Sequence, residues 1–153
     1  MAKRASSDEL RHAEKCLDLV RHFGGAVEAP KAPEARPVAP SSLETRERLL
    51  YEVVALSCVT ETLSAALLGA LVERARDSLA KSVLHSILRD EVGHVAIGNH
   101  WYRWLCERDG FEPVAHYKLL TERYDAPKLY PPFNDGARRS AGFTDEELAA
   151  LLA

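Results

Sequence analysis

The sequence predicts an all-α protein, and three observations carry that reading. Leu49, Leu50, Val53, Leu56, Val59, Thr60, Leu63, Leu67 and Leu71 recur at three- and four-residue steps, the period of a helix with one apolar face. No segment alternates apolar and polar residues as a half-buried strand would. Gly24-Gly25 and Asp109-Gly110 punctuate the periodic windows as helix stops.

At 153 residues the chain fits one domain over residues 1–153, and 46% apolar with 28% charged residues is ordinary globular composition. The net charge is −3 and Lys and Arg are scattered, so nothing marks a nucleic-acid stripe or a polybasic membrane segment. The opening "MAKRASSDEL" has no apolar signal core, and no run approaches the ~20 apolar residues of a membrane span. Cys16, Cys58 and Cys106 are widely spaced and match neither a disulfide framework nor a zinc motif. The expected location is the reducing cytoplasm.

The first helix is expected from about Arg4 to Phe23, with Ser6 or Ser7 as N-cap. Leu10, Ala13, Leu17 and Val20 form its apolar stripe, and His12 lies beside that stripe. Residues 24–42, "GGAVEAPKAPEARPVAPSS", carry Pro30, Pro33, Pro37 and Pro40, which exclude a continuous helix and favour extended chain. The spacing then predicts a long helix over 43–74 and another over 78–108, forming an antiparallel hairpin with its tip in "RARDS". Val83, Ile87 and Ile97 mark the buried side of the second, and Trp101, Trp104 and Leu105 its bulky end. The remainder, 112–153, reads as a helical extension: a helix over Glu112–Tyr124, a turn-rich "YDAPKLYPPFNDG", and a last helix opened by the capping box Thr144-x-x-Glu147.

Two stretches carry the chemistry. "SDELRHAE" and "RDEVGHVA" each contain Asp-Glu-x-x-His, at Asp8–His12 and Asp90–His94. On a helix, Glu at i and His at i+3 lie ~60° apart round the axis, so Glu9 with His12, and Glu91 with His94, can each address one ion. Asp8 and Asp90 sit at the flank of the same faces, placed to hydrogen-bond the ring nitrogen that holds no metal, on their own or a neighbouring histidine.

A helical-bundle di-iron site also requires bridging glutamates from the other helices. Glu61 stands alone in the apolar "ALSCVTETLSAALL", and the midpoint between it and Glu91 is residue 76, at the predicted hairpin tip. Both then lie ~22 Å from the tip, at one height. A carboxylate in so apolar a face requires a cation. Running the first and second long helices parallel asks the connector to return ~50 Å, and its 19 residues near polyproline geometry reach up to ~59 Å.

Competing ligands fail on angle or height. Glu52 and His100 face away from Glu61 and Glu91, and His85 is ~120° off. His22 lies ~15 Å from His12. His116 reads as a surface or hydrogen-bonded histidine, and Cys58 as a small core thiol. Two histidines with several carboxylates and no thiolate suit iron, with manganese the alternative, as two ions.

"DELRHAE", Glu61, "RDEVGHVAIGNHWYRWLCERDG" and the closing "PPFNDGARRSAGFTDEEL" resemble the ferritin-like superfamily. The second half is especially similar to a bacterial ferritin-like family of unknown function, distantly related to tRNA hydroxylases. The resemblance implies a helical bundle with a dinuclear metal site formed by Glu9, His12, Glu61, Glu91 and His94, Glu61 and Glu91 bridging and Asp8 and Asp90 behind them. The family pattern has an earlier helix with a further Glu, and only eight residues precede Glu9 here. Three of four bundle helices are therefore expected: the recorded start is too late, or a second copy or helical partner completes the bundle, or the site is incomplete. The function expected is an O₂-activating oxidoreductase of unknown substrate. An iron-handling ferroxidase and a metal-free interaction module remain open beside it, and tRNA enters only by analogy with distant relatives.

Overall fold

The computed structural model describes residues 2–27, 44–46, 48, 61–123 and 134–150, and these are helical with no strand among them. The elements are α1 (Ala2–His22), α2 (Glu61–Arg74), α3 (Ser78–Asp109), α4 (Pro113–Arg123), α5 (Asp135–Ser140) and α6 (Asp145–Ala150). The all-α expectation holds. The expectations for most of 28–60, with Cys58 and Glu52, and for 124–133 lie outside the described residues.

Each boundary has a local cause. Gly24 at φ 73° and the Gly25 amide, which donates to the Val20 carbonyl at 2.8 Å, close α1. Asp77 caps α3 by accepting from the Ala80 amide at 2.8 Å, and it also meets His22 Nε2 at 3.3 Å. Gly110, at φ 71°, ends α3 where Asp109-Gly110 predicts it. Thr144 and Glu147 exchange the two bonds of the capping box, at 2.8 and 3.2 Å, and open α6. The short α5 is an addition to the sequence reading: "NDG" reads as a turn, but Asn134 accepts from the Ala137 amide at 3.0 Å and starts a helix.

The longest-packed pair is α2 on α3, a hairpin turning through residues 75–77. Contacts from α1 to α3 run in opposite chain order: Asp8 with His94, His12 with Asp90, Lys15 with Ser86 and His22 with Asp77. Helix α1 is therefore antiparallel to α3 and parallel to α2. Arg46 pairs with Asp109 at 2.5 Å at the far end of α3 from Asp77. Arg46 thus stands at the opposite end of α3 from the end of α1, ~48 Å along that helix.

Ile87, Val95, Tyr102, Leu105, Cys106, Ala65 and Leu120 form the core with Ala141 and Leu148. The tail is pinned to α3 by Arg103, which donates to Glu147 Oε1 at 3.1 Å and to the Gly142 carbonyl at 2.5 Å, and by Asn99 to the Ala141 carbonyl at 3.2 Å. Tyr102 donates to the Pro113 carbonyl at 2.8 Å and holds the start of α4. Trp101 and Trp104, the bulky end of α3, stay exposed in an edge-to-face pair.

One expectation is corrected. The apolar stripe of α1 is not its packed side: Leu10 is 69% exposed and Val20 is exposed too, while Asp8 and His12 are buried. The polar side, with Lys15 donating to Ser86 Oγ at 2.7 Å, faces α3 and lies ~150° round the helix from the centre of that stripe. A matching exposed row, Leu63, Leu67 and Leu71, runs along α2.

Candidate metal centre

The seam between α1 and α3 is built from groups that normally stay in water. Asp8, His12, Glu91 and His94 are all buried there. The i, i+3 spacing places Glu9 and His12 on one side of α1 and Glu91 and His94 on one side of α3, and antiparallel packing brings the two motifs face to face. The imidazole centroids are 6.2 Å apart.

Each aspartate serves the histidine of the other helix. Asp8 Oδ2 lies 3.2 Å from His94 Nε2, and Asp90 Oδ2 lies 3.3 Å from His12 Nε2. A carboxylate only accepts, so each bond assigns the proton to Nε2 and leaves Nδ1 as a lone pair in the neutral ring. Both Nδ1 atoms point inward, at carboxylates. His12 Nδ1 is 3.4 Å from Glu91 Oε1 and 3.8 Å from Glu9 Oε1. His94 Nδ1 is 3.4 Å from Glu9 Oε1 and 3.6 Å from Glu91 Oε2. From α2, Glu61 brings a carboxylate oxygen within 4.8 Å of a Glu91 oxygen.

One donor atom each from Glu9, Glu61, Glu91 and His94 lies within 4.8 Å of all the others. Of the five expected ligands, four therefore form one ion-sized group, and His12 stands beside it against Glu91 and Glu9. Ligand atoms bonded to one metal at about 2.0–2.2 Å stand about 3.0–3.5 Å apart; His94 Nδ1 is 3.4 Å from Glu9 and 3.6 Å from Glu91, and the whole group falls within 4.8 Å.

The seam is crowded with acidic groups. Five carboxylates, from Asp8, Glu9, Glu61, Asp90 and Glu91, converge on the seam, and the arginines nearby reach only its outer edge. Arg11 pairs with Asp8, and Arg89 Nε stands 3.9 Å from Asp90. The His94 bond, reinforced by Arg11, holds the Asp8 carboxyl below its ordinary range despite burial. Glu91 goes the other way: burial first, then the hydrogen bond and charge of Glu61 and the charges of Glu9 and Asp90, push it up to about 9.

Whether these residues fit a metal is decided by two atoms. His12 Nδ1 and Glu91 Oε2 are buried without a hydrogen-bond partner. A buried acceptor facing other acceptors is costly, and a cation among them turns the repulsion into coordination. The donor set of imidazole nitrogen and carboxylate oxygen fits iron or manganese.

The chain matches the family described as "Protein of unknown function (DUF455)" over residues 8–149. It belongs to that family. The matched span holds every residue of the centre, from Asp8 to His94. A Haemophilus influenzae (strain ATCC 51907 / DSM 11121 / KW20 / Rd) relative, described as an uncharacterized protein, is 39% identical over 77 residues, which is 50% of this chain and 27% of that protein. The chain thus spans about a quarter of that relative's length. No solved structure matches the chain. No described helix is long and apolar enough to cross a membrane.

The histidines set aside on angle are elsewhere. His85 and His100 are exposed, His22 sits at Asp77, and His116 stacks on Phe111 at 4.4 Å with Tyr102 Oη 3.2 Å from its Nδ1. Sequence reasoning missed Arg11 as the partner of Asp8; its i, i+3 spacing from Asp8 was the available signal.

Proposed function

We propose that the chain is a ferritin-like di-metal carboxylate protein, with two iron ions or, as the alternative, manganese, and that it is a cytoplasmic oxidoreductase acting on O₂. The observation that carries this reading is the crosswise Asp–His pairing. It commits both Nε2 atoms to Asp8 and Asp90 and aims both Nδ1 lone pairs at Glu9 and Glu91. Glu61 and Glu91, whose carboxylate oxygens come within 4.8 Å of each other, would be the residues shared between the two ions. Glu9, His12 and His94 are the terminal ligands.

When bound, two iron ions supply the electrons for reducing O₂ or peroxide. The residues do the rest. Asp8 and Asp90 fix ring orientation and raise the basicity of the histidines. Glu91, buried and raised, would have to give up its proton to hold a metal ion. The half-exposed Glu9 leaves one side of the centre open. The bare leucine rows of α1 and α2 lie where a further helix, from a second copy or a helical partner, would complete the bundle.

Anaerobic loading with ferrous iron followed by exposure to O₂ tests the reading: O₂-dependent oxidation of bound iron is expected, and is lost in Glu61→Ala. Protein that takes up no iron contradicts it. A 24-subunit particle by native mass would favour iron storage instead.

A further inference from the structure

On the outer side of the α1–α3 seam, away from α2, lies an open cavity of about 400 Å³. That size falls in the range of small-molecule sites. Its deep wall is the back of the metal centre: Asp8, Asp90 and His94. Its sides are Ala5, Gly93 and Ile97, and Arg4 and Arg89 flank it.

The acceptors of the deep wall are spoken for. Asp8 holds Arg11 and His94, and Asp90 faces His12. The guanidinium groups are less so: Arg4 is exposed and makes no ion pair with a described residue, and Arg89 makes only a long ion pair to Asp90, at 3.9 Å and without a hydrogen bond. The exposed charged groups of the cavity are therefore two planar guanidinium forks, free in Arg4 and weakly paired in Arg89, the shape that matches a carboxylate.

Gly93 adds an independent observation. It lies mid-helix, where glycine costs about 1 kcal/mol relative to alanine. A Cβ built there meets nothing within 4 Å, so packing does not require the glycine. What it does is keep the cavity wall flat and the space between Ala5 and Ile97 open.

We propose that this cavity binds a small organic carboxylate, its head group between Arg4 and Arg89 and its apolar body on Ala5, Gly93 and Ile97. The ligand lies against the outer edge of the Asp8–His94 pair, one hydrogen bond removed from the metal-facing nitrogen. Its role as the substrate or effector of the oxidoreductase rests on the reading above; its binding does not.

Isothermal titration with 1-naphthoate, on iron-free and iron-loaded protein, tests the proposal. Saturable binding is expected, with the uncharged 1-naphthalenemethanol and inorganic phosphate, each carrying half the recognition, at least about 10-fold weaker. Arg4→Gln and Arg89→Gln should each weaken 1-naphthoate by about 5–10-fold, and Gly93→Leu should abolish binding with iron content unchanged. Equal binding of acid and alcohol, or binding that survives Gly93→Leu, overturns the proposal. So does a dimer that covers this face and binds no 1-naphthoate. Should Gly93→Leu not fold, Arg4→Glu with Arg89→Glu, both at exposed positions, decides the matter: retained binding overturns it. Protein that binds 1-naphthoate but no iron refutes the metal reading alone.

Discussion

Replacing Glu91 by Gln should make the metal-free protein more stable while destroying its response to metal. In the metal-free fold the Glu91 carboxyl is raised from 4.5 to about 9, chiefly by burial and then by Glu61. A folded-state value above the unfolded one means that the fold binds this proton more tightly. The contribution of Glu91 to stability is therefore fully present below pH 4.5 and is lost as pH rises toward about 9. Each pH unit above 4.5 costs about 1.4 kcal/mol, so at pH 7 the loss is about 3 kcal/mol. Glutamine has the shape of the protonated acid, keeps an N–H to offer Glu61, and does not titrate. Glu91→Gln should thus gain about 3 kcal/mol at pH 7, a Tm rise of roughly 6–12 °C for a chain of this size, and nothing at pH 4.5. Thermal melts after chelation, from pH 4.5 to 8, measure this. Ferrous iron should raise the Tm of the wild type by mass action and leave the variant unmoved. A variant that is less stable than wild type at pH 7, or that still responds to iron as wild type does, would refute the reasoning.

Further outcomes are expected. Asp90→Ala, which frees His12 Nε2, should lower ferrous affinity roughly 10–100-fold in a chelator competition with the helical content unchanged. If the leucine rows are covered by a second copy, native mass should exceed 17.0 kDa and Leu10→Asp with Leu67→Asp should return it to the single chain. Arg103→Ala removes the bonds to Glu147 and Gly142 and should cost about 1–3 kcal/mol in denaturant unfolding, loosening the tail without altering iron uptake.

Glu61 was legible in the sequence because hairpin arithmetic is local: two helices joined by a short turn fix which residues share a height. The pairing of Asp8 with His94 and of Asp90 with His12 was not, since either aspartate could serve its own ring. Only the axial stagger between α1 and α3, set across a long connector, decides between the options. The α1 stripe shows a different limit. Periodicity reveals that Leu10, Ala13, Leu17 and Val20 share a face, but not whether the same chain supplies anything to cover it. Burial of the opposite, polar face is the cost of building a charged seam, and it follows the two Asp-Glu-x-x-His motifs rather than the leucines. Helix α5 stayed hidden because Asn134 serves equally as a turn residue and a helix cap.

Metal content is the most direct test of the account as a whole. Protein loaded anaerobically with ferrous iron and freed of excess should carry two iron ions per site; Glu61→Ala should reduce that number and Glu91→Gln should abolish it. A wild-type protein that stays metal-free, or one whose metal content ignores both substitutions, would contradict the assignment of this seam as a metal centre.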